Sequence, residues 1–366
     1  MKKALCFLLL ALLFTATQAT ASTYEIRQNP PSTQTQNSDV DTVLLSFVGD
    51  CSIGDDVRVR KYANSLTNKI NENGYDWPFS TVSEYFHQDD VTFVNLEVVF
   101  TERYKLKSDK VFNLIGDPAF VQVLTGSGVD AVSTVNNHCR DFSFVGHKDT
   151  IKTLDDAGLM HFGTVYPNTK FSTDILGIYE TKGIKIGVFG FSYPKPNDMK
   201  HIKPRIEALR NDYGCDLIVA SMHWGREERL TSEAWQFNLA KDIIDAGADI
   251  IWGHHPHVLQ PVYFYKGKPI MFSTGNFVFG TISSLNPNTG IFQLKYDTST
   301  GTPSLKNFSV VPCQTTRKVD YRPRVLTDAQ EKKECFNILV GKRNVKDFVT
   351  LPESFLTDGY VTFEDE

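Results

Sequence analysis

The stretch DIIWGHHPHVLQP, residues 249–261, places three histidines within four positions directly after an apolar run. The run is short and β-branched, which favours a buried strand over a helix, so the histidines stand at a strand's carboxyl end. Pro256 biases the residue before it away from helical backbone. Side chains two apart in an extended segment share a face. The expectation is an extended His255, with His255 and His257 converging on one point and His254 facing away. A solvated turn needs only Asn, Asp or Gly, whereas paired imidazoles are metal-ligand chemistry.

Working outward, five more short apolar runs finish in polar residues: VLLSFVGD at Asp50, VTFVNLE at Glu97, VDAVSTVNNH at Asn137 and His138, LIVASMHW at His223, and IMFSTGNF at Asn276. Amphipathic stretches lie between them. TSEAWQFNLAKDIIDAGAD carries Trp235, Leu239 and Ile243 at helical spacing, with Thr231 or Ser232 to cap it and Gly247 at its end. The stretch ending at Ala157-Gly158 carries Ile151, Leu154 and Ala157 in the same way. Strands alternating with helices read as an α/β (α+β) fold, in which ligands gather outside the carboxyl ends of strands. One polar ending is ordinarily a helix cap or a structural histidine. Capping does not explain all six together, in the order carboxylate, carboxylate, amide with imidazole, imidazole, imidazole pair.

The length of 366 residues allows one large domain or two ordinary ones, and 41% hydrophobic with 22% charged residues is a globular balance. Lys2 and Lys3, the run ALCFLLLALLFTA and the small-residue site Ala19-Thr20-Ala21 read as a cleavable secretory signal over residues 1–21. The run is shorter than the roughly 20 apolar residues of a membrane span, which makes an uncleaved N-terminal anchor the lesser alternative. A secreted or extracytoplasmic location follows. Residues 22–41, polar and rich in Ser, Thr, Gln and Pro, read as a flexible linker. The folded domain is expected over 42–312, and 313–366 as a C-terminal extension or cap. Five cysteines remain after the signal, too few and too scattered for a disulfide framework; Cys313 with Cys335 is one conceivable bridge. A net charge of −5 argues against nucleic acid as a partner.

The donor inventory is coherent. Imidazole nitrogens and carboxylate oxygens suit a borderline divalent ion such as Zn²⁺, Mn²⁺ or Fe²⁺. A bridging carboxylate, an Asn carbonyl and three histidines suffice for one ion or for two about 3.5 to 4 Å apart, an arrangement that activates water against an ester. His138 is then free to protonate or stabilise a leaving oxygen.

At these residues the chain resembles the CapA, or PgsA-type, poly-γ-glutamate capsule biosynthesis proteins, which are similar to calcineurin-like metallophosphoesterases. The motifs VGD, NLE, NNHxxD, HWGxE, HPHVLQP and GNF follow in order over roughly residues 44–280. The resemblance implies a four-layer αββα sandwich with the motifs on loops at one edge. It implies Asp50, Glu97, Asn137, His223, His255 and His257 as metal ligands, His138 beside the scissile group, and Asp141 orienting His138. Trp224, Glu227 and Asn276 match positions expected to line the pocket. The chain departs from the wider superfamily at Asp50-Cys51-Ser52, which lacks the histidine of Asp-x-His, and at Glu97, where a shorter Asp is usual. Ser143 stands where Gly is expected after NNHxxD.

Two functions compete. The residue chemistry favours an extracytoplasmic metal-dependent hydrolase of a phosphoester or amide-type bond. The resemblance also implies a non-catalytic surface component that binds an anionic polymer, or the membrane subunits of a poly-γ-glutamate synthesis and export complex. The basic run TTRKVDYRPR, with Arg317, Lys318, Arg322 and Arg324, reads first as a solvated face.

Overall fold

The computed structural model describes residues 24–29, 41–165, 173–280, 286–316, 320–341 and 343–364. The signal-peptide expectation lies outside the described residues, as does most of the linker and, in the basic run, Arg317 and Lys318.

Two sheets face each other. One runs, in pairing order, through Glu25–Gln28, Thr173–Thr181, Ile184–Ser192, Leu217–His223, Ile250–His254, Lys268–Met271, Val262–Tyr265 and Val349–Thr350. The other runs through Ala131–Ser133, Val91–Leu96, Thr42–Ser52, Asn288–Asp297 and Ser304–Thr316, with Asn276–Phe279 pairing the end of Thr42–Ser52. Met160–Val165 pairs with Ala131–Ser133 and with Thr173–Thr181 and so joins them.

The strand alternation explains the layering. In Leu217–His223, Val219 joins the core between the sheets, while Ile218 and Ala220 join a second core beneath the helices Met199–Glu207 and Ala234–Asp245. Trp252 and Ile251 divide in the same way. On the other sheet, Phe93 faces the central core, and Val94 packs outward with Ile70 and Phe86 of the helices Leu66–Asn73 and Ser83–Gln88. These central strands are therefore buried on both faces, which is why their sequences are nearly continuous apolar runs. The result is helix, sheet, sheet, helix.

Three local expectations change. Glu25–Gln28, read as linker, forms an edge strand parallel to Thr173–Thr181, and Arg27 is bound to Asp155 at 2.8 Å. Partner hydrogen bonds at a sheet edge order a segment whose composition alone gives no such signal. The division at residue 312 falls inside the strand Ser304–Thr316, and Phe336, Leu339 and Phe355 complete the core between the sheets. The helix Ala234–Asp245 starts at Glu233, whose capping box with Gln236 replaces the expected Thr231 or Ser232 cap; Ser232 bonds Gln260 instead. Cys51, Cys139, Cys215, Cys313 and Cys335 are free and buried. Arg322 pairs with Asp320 and Arg324 with Glu331, as a solvated face would.

Candidate metal centre

The strand ends meet because glycine lets them. A Cβ on Gly49 would stand 2.1 Å from the Gly275 carbonyl oxygen, and one on Gly253 2.1 Å from that of Phe272. Trp252 Nε1 donates to Val48 O at 3.0 Å, fastening one sheet to the other just before Asp50. Backbone is thus packed on backbone where the motif side chains emerge.

The structure brings the six expected ligands together. Asp50 Oδ2 lies 3.3 Å from His257 Nδ1. Glu97 Oε1 lies 3.9 Å from the Nε2 atoms of His138, His223 and His257 alike. Asn137 Oδ1 is 2.9 Å from His223 Nε2, and the His223 and His255 rings are 4.8 Å apart. Donor atoms of Asp50, Glu97 and His257 fall within 4.8 Å of one another, as do those of Glu227, His255 and His257, so His257 belongs to both groups. Two ligands about 2.1 Å from a common ion can stand no more than about 4.2 Å apart, and the 3.9 Å spacings around Glu97 respect that limit.

The route to this cluster differs from the expectation at two histidines. His255 is not extended: its φ is 95°, and His257 has φ 58°. The His255 N–H reaches toward Asp50 Oδ2 at 3.3 Å and Pro256 O accepts from Glu228 N at 2.8 Å, so tertiary contacts bend the chain where the proline rule alone gives an extended residue. His254 does not face away. Its Nδ1 lies 3.3 Å from Asp50 Oδ1, placing one imidazole against each oxygen of that carboxylate.

Burial governs the electrostatics. It pushes the Glu97 carboxyl well above its usual range, and the nearby Asp50 adds to the effect. Burial acts on Asp50 in the same sense, but hydrogen bonds from His254 and His257 hold it well below the carboxylate range. His255 is pulled down to about 3 by burial and by His257, and His223 falls well below its ordinary value by burial and by His255. His257 is lowered by burial yet driven up to about 10 by Glu97 and Asp50. His223 and His255 are therefore neutral imidazoles with lone pairs to give. Both Glu97 oxygens, the Nδ1 atoms of His223 and His255, and Nε2 of His254 lack a hydrogen-bond partner among the described residues. A buried carboxylate without a partner is costly, and a cation there would supply what is missing. The donor set fits a borderline divalent ion.

The model of the family described as bacterial capsule synthesis protein PGA_cap matches residues 44–281, which contain every motif above. The chain belongs to this capsule synthesis family. It is 31% identical over 265 residues to the PGA biosynthesis protein CapA of Bacillus subtilis, covering 68% of this chain and 66% of that relative. It is 30% identical to the capsule biosynthesis protein CapA of Bacillus anthracis, covering 65% of this chain and 60% of the relative. The chain thus spans less than two thirds of the length of these relatives. A solved phosphatase structure from Mycoplasma pneumoniae aligns over 74% of this chain and 93% of its own, with 17% identity and a TM-score of 0.47.

In this family member His138 and Asp141, the expected catalytic pair, are in direct contact. His138 Nδ1 stands 2.6 Å from Asp141 Oδ2, which also accepts from Leu114 N at 2.7 Å, while Asp141 Oδ1 holds Lys110 Nζ at 2.6 Å. Ser143, where Gly is expected, has φ 63°, the left-handed backbone that favours glycine. Trp224 does not line the pocket: it is fully buried, stacks on Phe272 and donates to Phe272 O at 3.0 Å. The alternation that aims His223 at the cluster turns its neighbour into the helix-covered core. Asn276 is buried and its Oδ1 lies 2.9 Å from His257 Nδ1, where it fixes the ring of a candidate ligand. Glu227 is the exposed member of its group.

Sequence reasoning missed four residues here. Asn95 donates to Asp50 Oδ1 at 2.8 Å and is visible in the sequence only as an inward-facing amide in VTFVNLE. Lys110, which also donates to Asn137 O at 2.8 Å, comes from an irregular loop that carries no signal. Tyr193, with φ 48°, sets its hydroxyl 3.3 Å from His255 Nε2 at the mouth of the site. His254 is the fourth.

Proposed function

We propose that this capsule synthesis family member is an extracytoplasmic, divalent-metal-dependent hydrolase that cuts a phosphoester or amide-type bond during the handling of an anionic capsule polymer such as poly-γ-glutamate. The observation that carries the reading is Glu97, buried with both oxygens unpartnered among the described residues and ringed by three imidazole nitrogens at 3.9 Å. Asp50, Glu97, Asn137, His223, His255 and His257 would hold one or two ions of Zn²⁺, Mn²⁺ or Fe²⁺, with His254 steadying Asp50. A bound ion of this kind supplies Lewis acidity and brings the pKa of water toward about 7.

The chain's own residues supply the rest. Asp141 fixes the ring of His138 through Nδ1, leaving Nε2 to pass a proton to the leaving oxygen. Asn276 and Asn137 fix the rings of His257 and His223. The relatives' names place capsule and PGA biosynthesis in the family, and the N-terminal apolar run supports export.

The test is metal content of the purified chain followed by turnover of a chromogenic phosphodiester. At least one divalent ion per chain, with turnover abolished by His138→Ala, supports the hydrolase. Metal without turnover, together with retention of poly-γ-glutamate by His138→Ala, selects the non-catalytic component. Less than one ion per chain, unchanged by Glu97→Gln, ends both readings.

A further inference from the structure

Ten large apolar side chains are exposed among the described residues, and five of them, Tyr62, Tyr104, Leu106, Val111 and Phe112, sit on two loops. The loops form one surface. Val57 N donates to Asn113 O at 3.1 Å, the Arg58 guanidinium lies 4.6 Å from the Phe112 ring centre, and Arg60 covers the Tyr104 ring at 5.2 Å. Residues 57–62 and 101–112 carry seven Lys and Arg against two acids, in a chain of net charge −5. Arg58, Arg103 and Lys110 are matched by Asp56, Asp149 and Asp141. Lys61, Lys105 and Lys107 are exposed, and no ion pair to them is found among the described residues. The local charge is therefore opposite to that of the molecule.

We propose that these two loops are a docking surface for an anionic lipid bilayer, with Val111 and Phe112 entering the headgroup boundary and Lys61, Lys105 and Lys107 meeting lipid phosphates. Exposed apolar side chains clustered with lysines are what an interfacial contact requires, since burial and charge attraction act together. A soluble polyanion is met by cations alone. It leaves Val111 unexplained, which at 71% is the most exposed of the ten apolar side chains. Lys110, beside Val111, reaches Asn137 O and Asp141, so the docked surface borders the candidate centre. The inference needs neither metal nor turnover.

The test is co-sedimentation of the full chain with neutral phosphatidylcholine vesicles and with vesicles in which a third of the lipid is phosphatidylglycerol. Chain that still carries the N-terminal apolar run partitions into either, so the readout is the ratio of the two affinities. We expect a preference of about tenfold or more for anionic vesicles at low ionic strength, largely lost at about 0.5 M salt. Lys105→Glu/Lys107→Glu should bring the ratio near unity, and Val111→Ser/Phe112→Ser should weaken anionic binding about tenfold, both with unchanged Tm. No anionic preference overturns the proposal. So does a preference that both variants retain, or retention of soluble polyglutamate on this surface without vesicle binding.

Discussion

Glu97 Oε1 and His223 Nε2 lie 3.9 Å apart, one following the strand Val91–Leu96 and the other ending the strand Leu217–His223 of the opposite sheet, and both side chains are fully buried. The spacing is too long for a hydrogen bond and right for two ligands of one ion. Glu97→Gln removes the carboxylate while keeping its size. In metal-free protein the variant is expected to match or exceed the parent in Tm, because an unpartnered buried carboxyl is gone. With metal in excess the order reverses: the parent gains about 2.7 kcal/mol at a hundredfold excess over Kd, and the variant gains less than half of that. Thermal melts with chelator and with Mn²⁺ or Zn²⁺ read the crossing directly.

Substitutions at the His138–Asp141 pair test chemistry apart from metal binding. His138→Ala and Asp141→Asn are expected to lower turnover by about 10²- to 10⁴-fold, since a positioned proton donor is lost or misdirected. Metal content should stay at the parental level. Metal lost in parallel with activity would place His138 among the ligands, 3.9 Å as its Nε2 is from Glu97.

Remote from the centre, Asp89 makes stability depend on pH. Burial pushes its carboxyl up to about 8, against partial relief from Ser46 and Thr92, and Asp130 rises to about 6 chiefly by burial. The unfolded chain sheds these protons first, so stability falls as pH rises from about 4 toward about 8. Asp89→Asn should flatten that slope. Its Tm relative to the parent is expected to be higher at pH 8 than at pH 5, in melts at constant ionic strength; an equal difference at both would show that Asp89 is not protonated in the fold.

Backbone contact at the glycines fixes the geometry. Gly49→Ala or Gly253→Ala forces a methyl against a carbonyl oxygen 2.1 Å away, which backbone cannot yield cheaply. Each should cost about 3 kcal/mol or more, beyond ordinary overpacking. Each should also shrink the metal-induced gain in Tm, because Asp50 and His254 directly follow these glycines.

The apolar runs made the alternation of buried strands and helices legible, since strands buried on both faces have to be written that way, while the four-layer arrangement was implied only by the ordered motifs and the family they resemble. The polar endings made the centre legible, because six of them together, carboxylate, amide and imidazole, exceed what helix capping or structural histidines explain. Neither device reaches residues placed by loops or by turns. Lys110 arrives on an irregular segment, Tyr193 by a left-handed backbone, and Trp224 is diverted inward by the same alternation that delivers His223.

By itself, then, the sequence determined the alternation of strand and helix and which side chains stand at the strand ends, because those follow from periodicity and residue chemistry within a few positions. Only the tertiary structure decided where those ends point. Contacts between Asp50 and the 254–257 turn, distant in the chain, set backbone angles that no local rule contains. They draw His254 in and give each oxygen of one carboxylate its own imidazole.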